Sequence, residues 1–272
     1  MSLQDAVARA EAFAAANGFE IPIMLAPMAG ACPPGLSAAV ASAGGLGACG
    51  ALLMQPDAIR NWAAEFRAAT NGAFQMNIWI PDPPPERNAV AETAVRNFLS
   101  GWGPAVPPEA GDATPPDFEA QLQAMLDSGP AIVSSIMGLY PEDFIQELKA
   151  RRIRWFAIVT TVAEALAAEA AGADAVVAQG AEAGGHRGAF VAGDAETAAV
   201  GLFALLPAVV DAVRIPVVET GGIGDARGVA AALTLGASAA QVGTGFLRTP
   251  EAKIAPAWAD ALGAARPEGT IV

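Results

Sequence analysis

Apolar residues recur along this chain in two alternating patterns, short continuous runs and stripes at helical spacing. Leu3 to Ala16 has helical spacing and ends at Asn17-Gly18, which predicts a capped helix serving as a lid over the bottom of a barrel. Ile23 to Pro27 is a first buried strand that runs into a turn at Met28-Ala29-Gly30. A short helix over Leu36 to Ala43 precedes a second strand from Leu46. Pro56 to Ala69 is a helix and Phe74 to Trp79 a third strand. There the alternation breaks into a proline-rich excursion, Pro81 to Pro116, around a helical piece at Glu86 to Ser100. Insertions after a strand's C-terminal end build lids and substrate walls.

The alternation resumes with a helix over Asp117 to Asp127, a strand over Ala131 to Ser134 and a helix over Pro141 to Arg151. Arg154 to Thr160 and Ala175 to Ala178 are the fifth and sixth strands, with a helix over Val162 to Ala171 between them. Thr197 to Ala212 is the next helix, Pro216 to Glu219 the seventh strand, and Asp225 caps a helix that runs through Leu235. Ala239 to Val242 is the eighth strand. Eight strands alternating with helices, without a repeated sequence unit, predict a parallel α/β fold, and the count predicts a closed (β/α)8 TIM barrel. The 272 residues are near the roughly 250 typical of that fold, so residues 1–272 are read as one domain.

Composition narrows the function. Hydrophobic residues make up 53% and charged residues 16%, the balance of a compact globular protein. A net charge of −13 repels a phosphate backbone and excludes nucleic acid as a partner. Cys32 and Cys49 match no zinc spacing and read as small buried thiols, so no metal is expected. Two uncharged runs, Ile21 to Pro56 and Val229 to Leu247, are interrupted by prolines and glycines and read as buried strands rather than membrane spans. The N-terminus lacks the organisation of a signal peptide, which makes the cytoplasm the expected location. Gly45 to Gly50 spells G-x-G-x-x-G, but it follows a helix and is itself strand-like, whereas that fingerprint follows a strand and opens a helix. Close helix-to-strand packing is the reading preferred over a dinucleotide site.

The chemistry centres on Ala175 to Gly188, where the sixth strand enters a glycine-rich turn that carries the chain's single histidine, His186. Barrel enzymes keep their chemistry at strand C-termini, and imidazole exchanges protons near neutrality. A surface histidine without a role is the plain alternative. Thr220-Gly221-Gly222 and Gly243-Thr244 follow strands seven and eight, where barrels commonly build a phosphate cradle. A phosphate there and a histidine after strand six would place a phosphorylated planar cofactor across the barrel mouth. Gln179 and Asn77 could then hydrogen-bond its ring edge, with Met28 packed beside it. Each residue also has an ordinary reading: Met28 as core filler, Asn77 as a strand-end residue, the glycines as tight turns.

Pro22 to Gly30, Ala178 to Gly188, Gly221-Gly222-Ile223 and Gln241 to Leu247 together resemble the nitronate monooxygenase family, formerly called 2-nitropropane dioxygenases. The resemblance runs from about Ile21 to Ala264, and its most specific block is Glu182-Ala183-Gly184-Gly185-His186. It implies a (β/α)8 barrel carrying FMN, with contacts from Met28, Asn77, Gln179, Ala183, Gly184, Gly185, Thr220, Gly221, Gly222, Gly243 and Thr244. His186 falls on the family's catalytic histidine. The implied reaction joins an alkyl nitronate or nitroalkane with O2 to give a carbonyl product and nitrite, with His186 as base. Two departures stand out. The segments that follow the last barrel helix in the family and help cover the site are expected to be absent here, and Gly245 stands where many members carry arginine. Two alternatives share the motifs: a flavin enoyl reductase or NAD(P)H:quinone reductase, and a flavin-binding barrel without turnover.

Overall fold

The computed structural model describes residues 3–83 and 86–266. The first half of the chain runs α1 (Leu3–Ala16), β1 (Ile23–Leu25), α2 (Pro34–Ser42), β2 (Gly47–Gly50), α3 (Pro56–Ala69) and β3 (Phe74–Trp79). The excursion carries α4 (Ala89–Leu99), after which come α5 (Phe118–Ser128), β4 (Ile132–Ile136), α6 (Glu142–Ala150) and β5 (Arg154–Val159). The last part is α7 (Val162–Ala171), β6 (Ala175–Gln179), α8 (Leu202–Ala212), β7 (Val217–Thr220), α9 (Ala226–Thr234), β8 (Ala239–Val242) and α10 (Pro256–Ala264). All eight strands are parallel, in the order β1-β8-β7-β6-β5-β4-β3-β2. The ring closes at Leu46, whose N–H donates to Ile23 O at 3.1 Å while its carbonyl accepts Leu25 N–H at 2.9 Å. The fold is the expected barrel.

Period-two alternation sorts the strand residues into two layers. Met24, Leu46, Ile132, Phe156, Val177, Val218 and Ala239 form an inner cluster with Phe13 and Phe19. Phe13 on α1 meets Phe156 with ring centroids 5.9 Å apart, so the N-terminal helix does plug the barrel's lower end. The alternate residues, among them Met76, Val133, Trp155, Val176 and Val217, pack outward against the helices. Above the inner apolar layer lies a buried polar belt. Gln75 donates to Gln241 at 3.0 Å and to Leu25 O at 2.9 Å.

Several boundaries shift for local reasons. β1 stops at Leu25, because Ala26 N–H still pairs with Val242 O but Pro27 has no N–H to offer. α2 begins two residues early, with Pro34 in the first turn, where its missing donor costs nothing. Asn88 accepts Val90 and Ala91 N–H and so starts α4 at Ala89. α8 begins at Leu202 rather than Thr197. Val200 O is taken by Ala181 N–H and the Glu182 carboxylate accepts Leu202 N–H, which ties the preceding residues to the β6 loop. The G-x-G-x-x-G segment forms β2. A side chain at Gly47 would come within 2.9 Å of the Phe66 ring and of Ser37 O, so it serves close helix packing as read. Pro84, Pro85 and the tail 267–272 lie outside the described residues. Among those described, no helix is long and apolar enough to cross a membrane.

One acid breaks the outer apolar layer. Glu219 on β7 is fully buried, and neither carboxylate oxygen has a partner among the described residues. Burial, reinforced by the Glu182 carboxylate, pushes its carboxyl from the ordinary 4.5 up to about 8. The folded protein therefore binds a proton that the unfolded chain releases earlier. Its contribution to stability is complete below about pH 4.5 and is lost as pH rises to about 8, at about 1.4 kcal/mol per pH unit in that window. Urea unfolding of wild type and Glu219→Gln across that range is expected to show this slope in wild type and lose it in the variant. Parallel pH profiles would refute the assignment.

Candidate active site

Strand β6 delivers residues 180–190 to the C-terminal mouth of the barrel. Val177 faces the interior, so Gln179, two residues later, shares that face. Its side chain donates through Nε2 to the His186 carbonyl at 3.0 Å and accepts Gly188 N–H through Oε1 at 2.7 Å. One buried amide thus grips the chain on both sides of Arg187. Arg187 is buried as well and points back into the loop, donating to Gly180 O at 2.7 Å and Ala181 O at 3.0 Å. Burial lowers its guanidinium pKa, an effect opposed by Glu182.

The far end of the loop is held from α7. Thr161 and Glu164 form a capping box, and the same Glu164 carboxylate accepts Phe190 N–H at 2.8 Å. His186 stands exposed on this tethered loop. Its imidazole meets the indole of Trp79, at the end of β3, edge to face, with centroids 4.5 Å apart and an interplanar angle of 61°. Both rings open on a cleft of about 1290 Å³ with apolar walls from Ile80, Phe118 and Met137. Met137 holds a left-handed φ of 64° just after β4, a strained conformation for a methionine and one characteristic of functional sites. Both ends of the excursion, Pro81-Asp82 and Pro115-Pro116, line the cleft.

The glycines form a second cluster beside the histidine loop. A side chain at Gly184 would reach within 2.9 Å of Thr244 Oγ1. One at Gly221, where φ is 131°, would stand 3.1 Å from Ala183 N, and one at Gly222 would stand 3.1 Å from Glu182 Cβ. Gly243 faces Met28 Sδ at 3.4 Å on the same measure. The loops after β1, β6, β7 and β8 therefore pack closely at their glycines. A 3-10 turn opens at Thr244, and the first N–H groups of a helical turn have no partner within it. This is a surface that a phosphate fits and that added Cβ atoms would fill.

The predicted polar contacts are arranged differently from their sequence reading. The Gln179 amide is engaged at both ends by the histidine loop, with a second N–H and a second lone pair left over. Asn77 donates to Ser134 O and Oγ, both at 3.0 Å, and Thr220 donates to Gln241 O at 2.9 Å. Gly185 and His186 line the cleft, whereas Met28, Asn77, Gln179, Thr220 and Gly243 do not. Trp79, Arg187 and Glu164 were missed. Only Glu164 left a local signal, the Thr-x-x-Glu spacing of a capping box. Cys32 and Cys49 are buried, and burial pushes the Cys32 thiol up to about 12. Among the described residues no group of three or more His, Cys, Asp or Glu is placed to hold a metal.

The family model for nitronate monooxygenase matches residues 12–272. The chain is 44% identical to a nitronate monooxygenase of Paraburkholderia phytofirmans over 87% of its own length and 66% of the relative's. It is 39% identical to one from Pseudomonas aeruginosa, over 90% and 71% respectively. Among solved structures it is similar to nitroalkane oxidase from Streptomyces ansochromogenes, with a TM-score of 0.81 and 36% identity over 91% of this chain and 72% of that one. FabK from Thermotoga maritima gives a TM-score of 0.68 and 31% identity over 95% and 66%. The chain thus spans about two thirds of the length of the curated relatives it matches.

Removing the Gln179 amide leaves the fold intact but frees the loop. A displacement of about 1 Å at a reacting group costs on the order of 100-fold. Gln179→Ala is expected to lower the melting temperature by several degrees, because His186 O and Gly188 N–H lose a buried partner at about 1–3 kcal/mol, and to lower kcat/KM for a nitroalkane by about 10- to 100-fold. Full activity in the variant would show that the bridge does not set the histidine.

Proposed function

The chain belongs to the nitronate monooxygenase family, and on that premise we propose that it oxidises alkyl nitronates, and nitroalkanes after loss of an α-proton, with O2 to a carbonyl product and nitrite. The observation that carries this reading is the position of His186, exposed at the wall of an apolar cleft and beside the glycine-rich cradle. FMN, when bound, supplies the electron exchange between nitronate and O2. Its phosphate suits the Thr220-Gly221-Gly222 and Gly243-Thr244 loops together with Ala183, Gly184 and Gly185, with Met28, Asn77 and Gln179 on the ring side.

His186 takes the α-proton of a neutral nitroalkane. The resulting imidazolium then faces the negative nitro oxygens and stabilises them. Trp79 limits the swing of the imidazole, and Ile80, Phe118 and Met137 keep water from the reacting carbon. With its net charge of −13, the protein is suited to small-molecule rather than nucleic-acid partners. The likeness to FabK supports a second reading, a flavin enoyl reductase or NAD(P)H:quinone reductase. That reading requires a nicotinamide site in the same cleft.

A base is needed only for the neutral substrate. His186→Asn is expected to reduce kcat/KM for 2-nitropropane by about 100-fold or more, the range of general-base contributions. For preformed propyl-2-nitronate the loss is expected to be much smaller. Nitrite release and O2 uptake report both reactions. Equal losses on the two substrates, or none on the neutral one, would remove His186 as the base.

A further inference from the structure

The cleft beside His186 is larger than a small nitro compound needs. Its volume of about 1290 Å³ exceeds even the roughly 300–1,000 Å³ of pockets that hold drug-sized ligands. Among the described residues of the cradle only Gly185 lines it, so cleft and cradle are separate ground. The walls are apolar, from Leu52, Ile80, Phe118 and Met137, with the Trp79 indole against the imidazole. Beside His186, the charged side chains of the lining are Asp82, Asp117, Glu119, Glu196 and Arg187. The four acids are exposed, whereas Arg187 is buried and donates inward to Gly180 O and Ala181 O. The cleft therefore offers apolar wall to a long tail and negative charge to an anion.

Resting on the nitronate reading, we infer that this site selects neutral nitroalkanes with an extended alkyl tail, over short ones and over those whose tail ends in a carboxylate. The nitro head has to lie at His186 for its α-proton to be taken. A three-carbon substrate placed there leaves most of the apolar wall wet. Each further methylene that covers the wall gains by leaving water, about fourfold when fully buried. A carboxylate on the same tail meets four acids and one guanidinium already committed to two carbonyls. Asp82, Asp117 and Glu196 come from three separate segments, so the negative field belongs to the cleft rather than to one helix. Clefts lined by one sign of charge focus such a field, and salt screens it over about 8 Å at physiological ionic strength.

His186 is the chain's only histidine, so its ring C–H signals in NMR report occupancy of the cleft without ambiguity. The intact chain is titrated without O2 with 1-nitropropane, 1-nitrohexane and 6-nitrohexanoate, each nitro group added in its neutral form. Nitrite release in air then gives kcat/KM for the same three. Binding of 1-nitrohexane is expected to be at least about tenfold tighter than that of 1-nitropropane. It is expected to be about fivefold tighter than that of 6-nitrohexanoate at low salt, and this second gap shrinks as salt rises. Phe118→Ala is expected to cut the first ratio about threefold, and Asp82→Asn combined with Glu196→Gln the second. Ratios taken within one protein are insensitive to a general loss of activity. Equal binding of the three, a second gap indifferent to salt, or unchanged ratios in both variants would overturn the inference. The expected binding order without nitrite from any of the three would support this ligand class and remove the proposed reaction instead.

Discussion

The site depends on one side-chain amide. Gln179 is the last residue of a buried strand, and from inside the barrel it holds the loop on both flanks of Arg187. A hydrogen bond there competes with little water, and leaving a buried donor or acceptor unmet costs about 1–3 kcal/mol. Glycine-rich loops lose more entropy on ordering than any others, so a loop with four glycines needs such anchors. Arg187 closes its base and Glu164 ties its far end to α7. His186 can be exposed and still be fixed in place, because everything around it is tethered.

The same economy shapes the barrel below. Its lower interior is filled by aliphatic and aromatic side chains with α1 as a plug, and its upper interior by a connected belt of Gln75, Asn77, Ser134, Thr220 and Gln241. The belt's hydrogen bonds tie β3 to β8, β3 to β4 and β7 to β8, so the floor of the site is braced from within. The loops above it meet at glycines, and a Cβ at Gly184, Gly221, Gly222 or Gly243 would crowd a neighbouring loop. The excursion contributes its two ends to the cleft wall. Its helix α4 stands away from the core and leaves Val90, Phe98 and Trp102 exposed.

Most of the fold was legible because each element had its own period. α1, α3, β3, α7 and β8 fall where their spacing placed them. The helix expected from Thr197 starts at Leu202 because tertiary bonds from Ala181 and Glu182 override a helical pattern over its first turn. The glycines after β6, β7 and β8 were legible as strand-end turns, and the barrel brings them together. The reaction was not legible. It entered through the resemblance carried by the Glu182 to His186 block. Gln179 as a loop clamp, Trp79 as the histidine's neighbour and Glu219 as an unpaired acid all depend on which strands lie side by side, and no local pattern encodes that.

In the proposed reaction, FMN held beside His186 would take electrons from a nitronate. The most direct test is to reconstitute the protein with FMN and mix it without O2, first with propyl-2-nitronate and then, in a separate sample, with NAD(P)H. The flavin absorption bands are expected to bleach on mixing with the nitronate and to change only slowly with NAD(P)H. Rapid bleaching by NAD(P)H with no response to the nitronate would contradict it and identify a reductase.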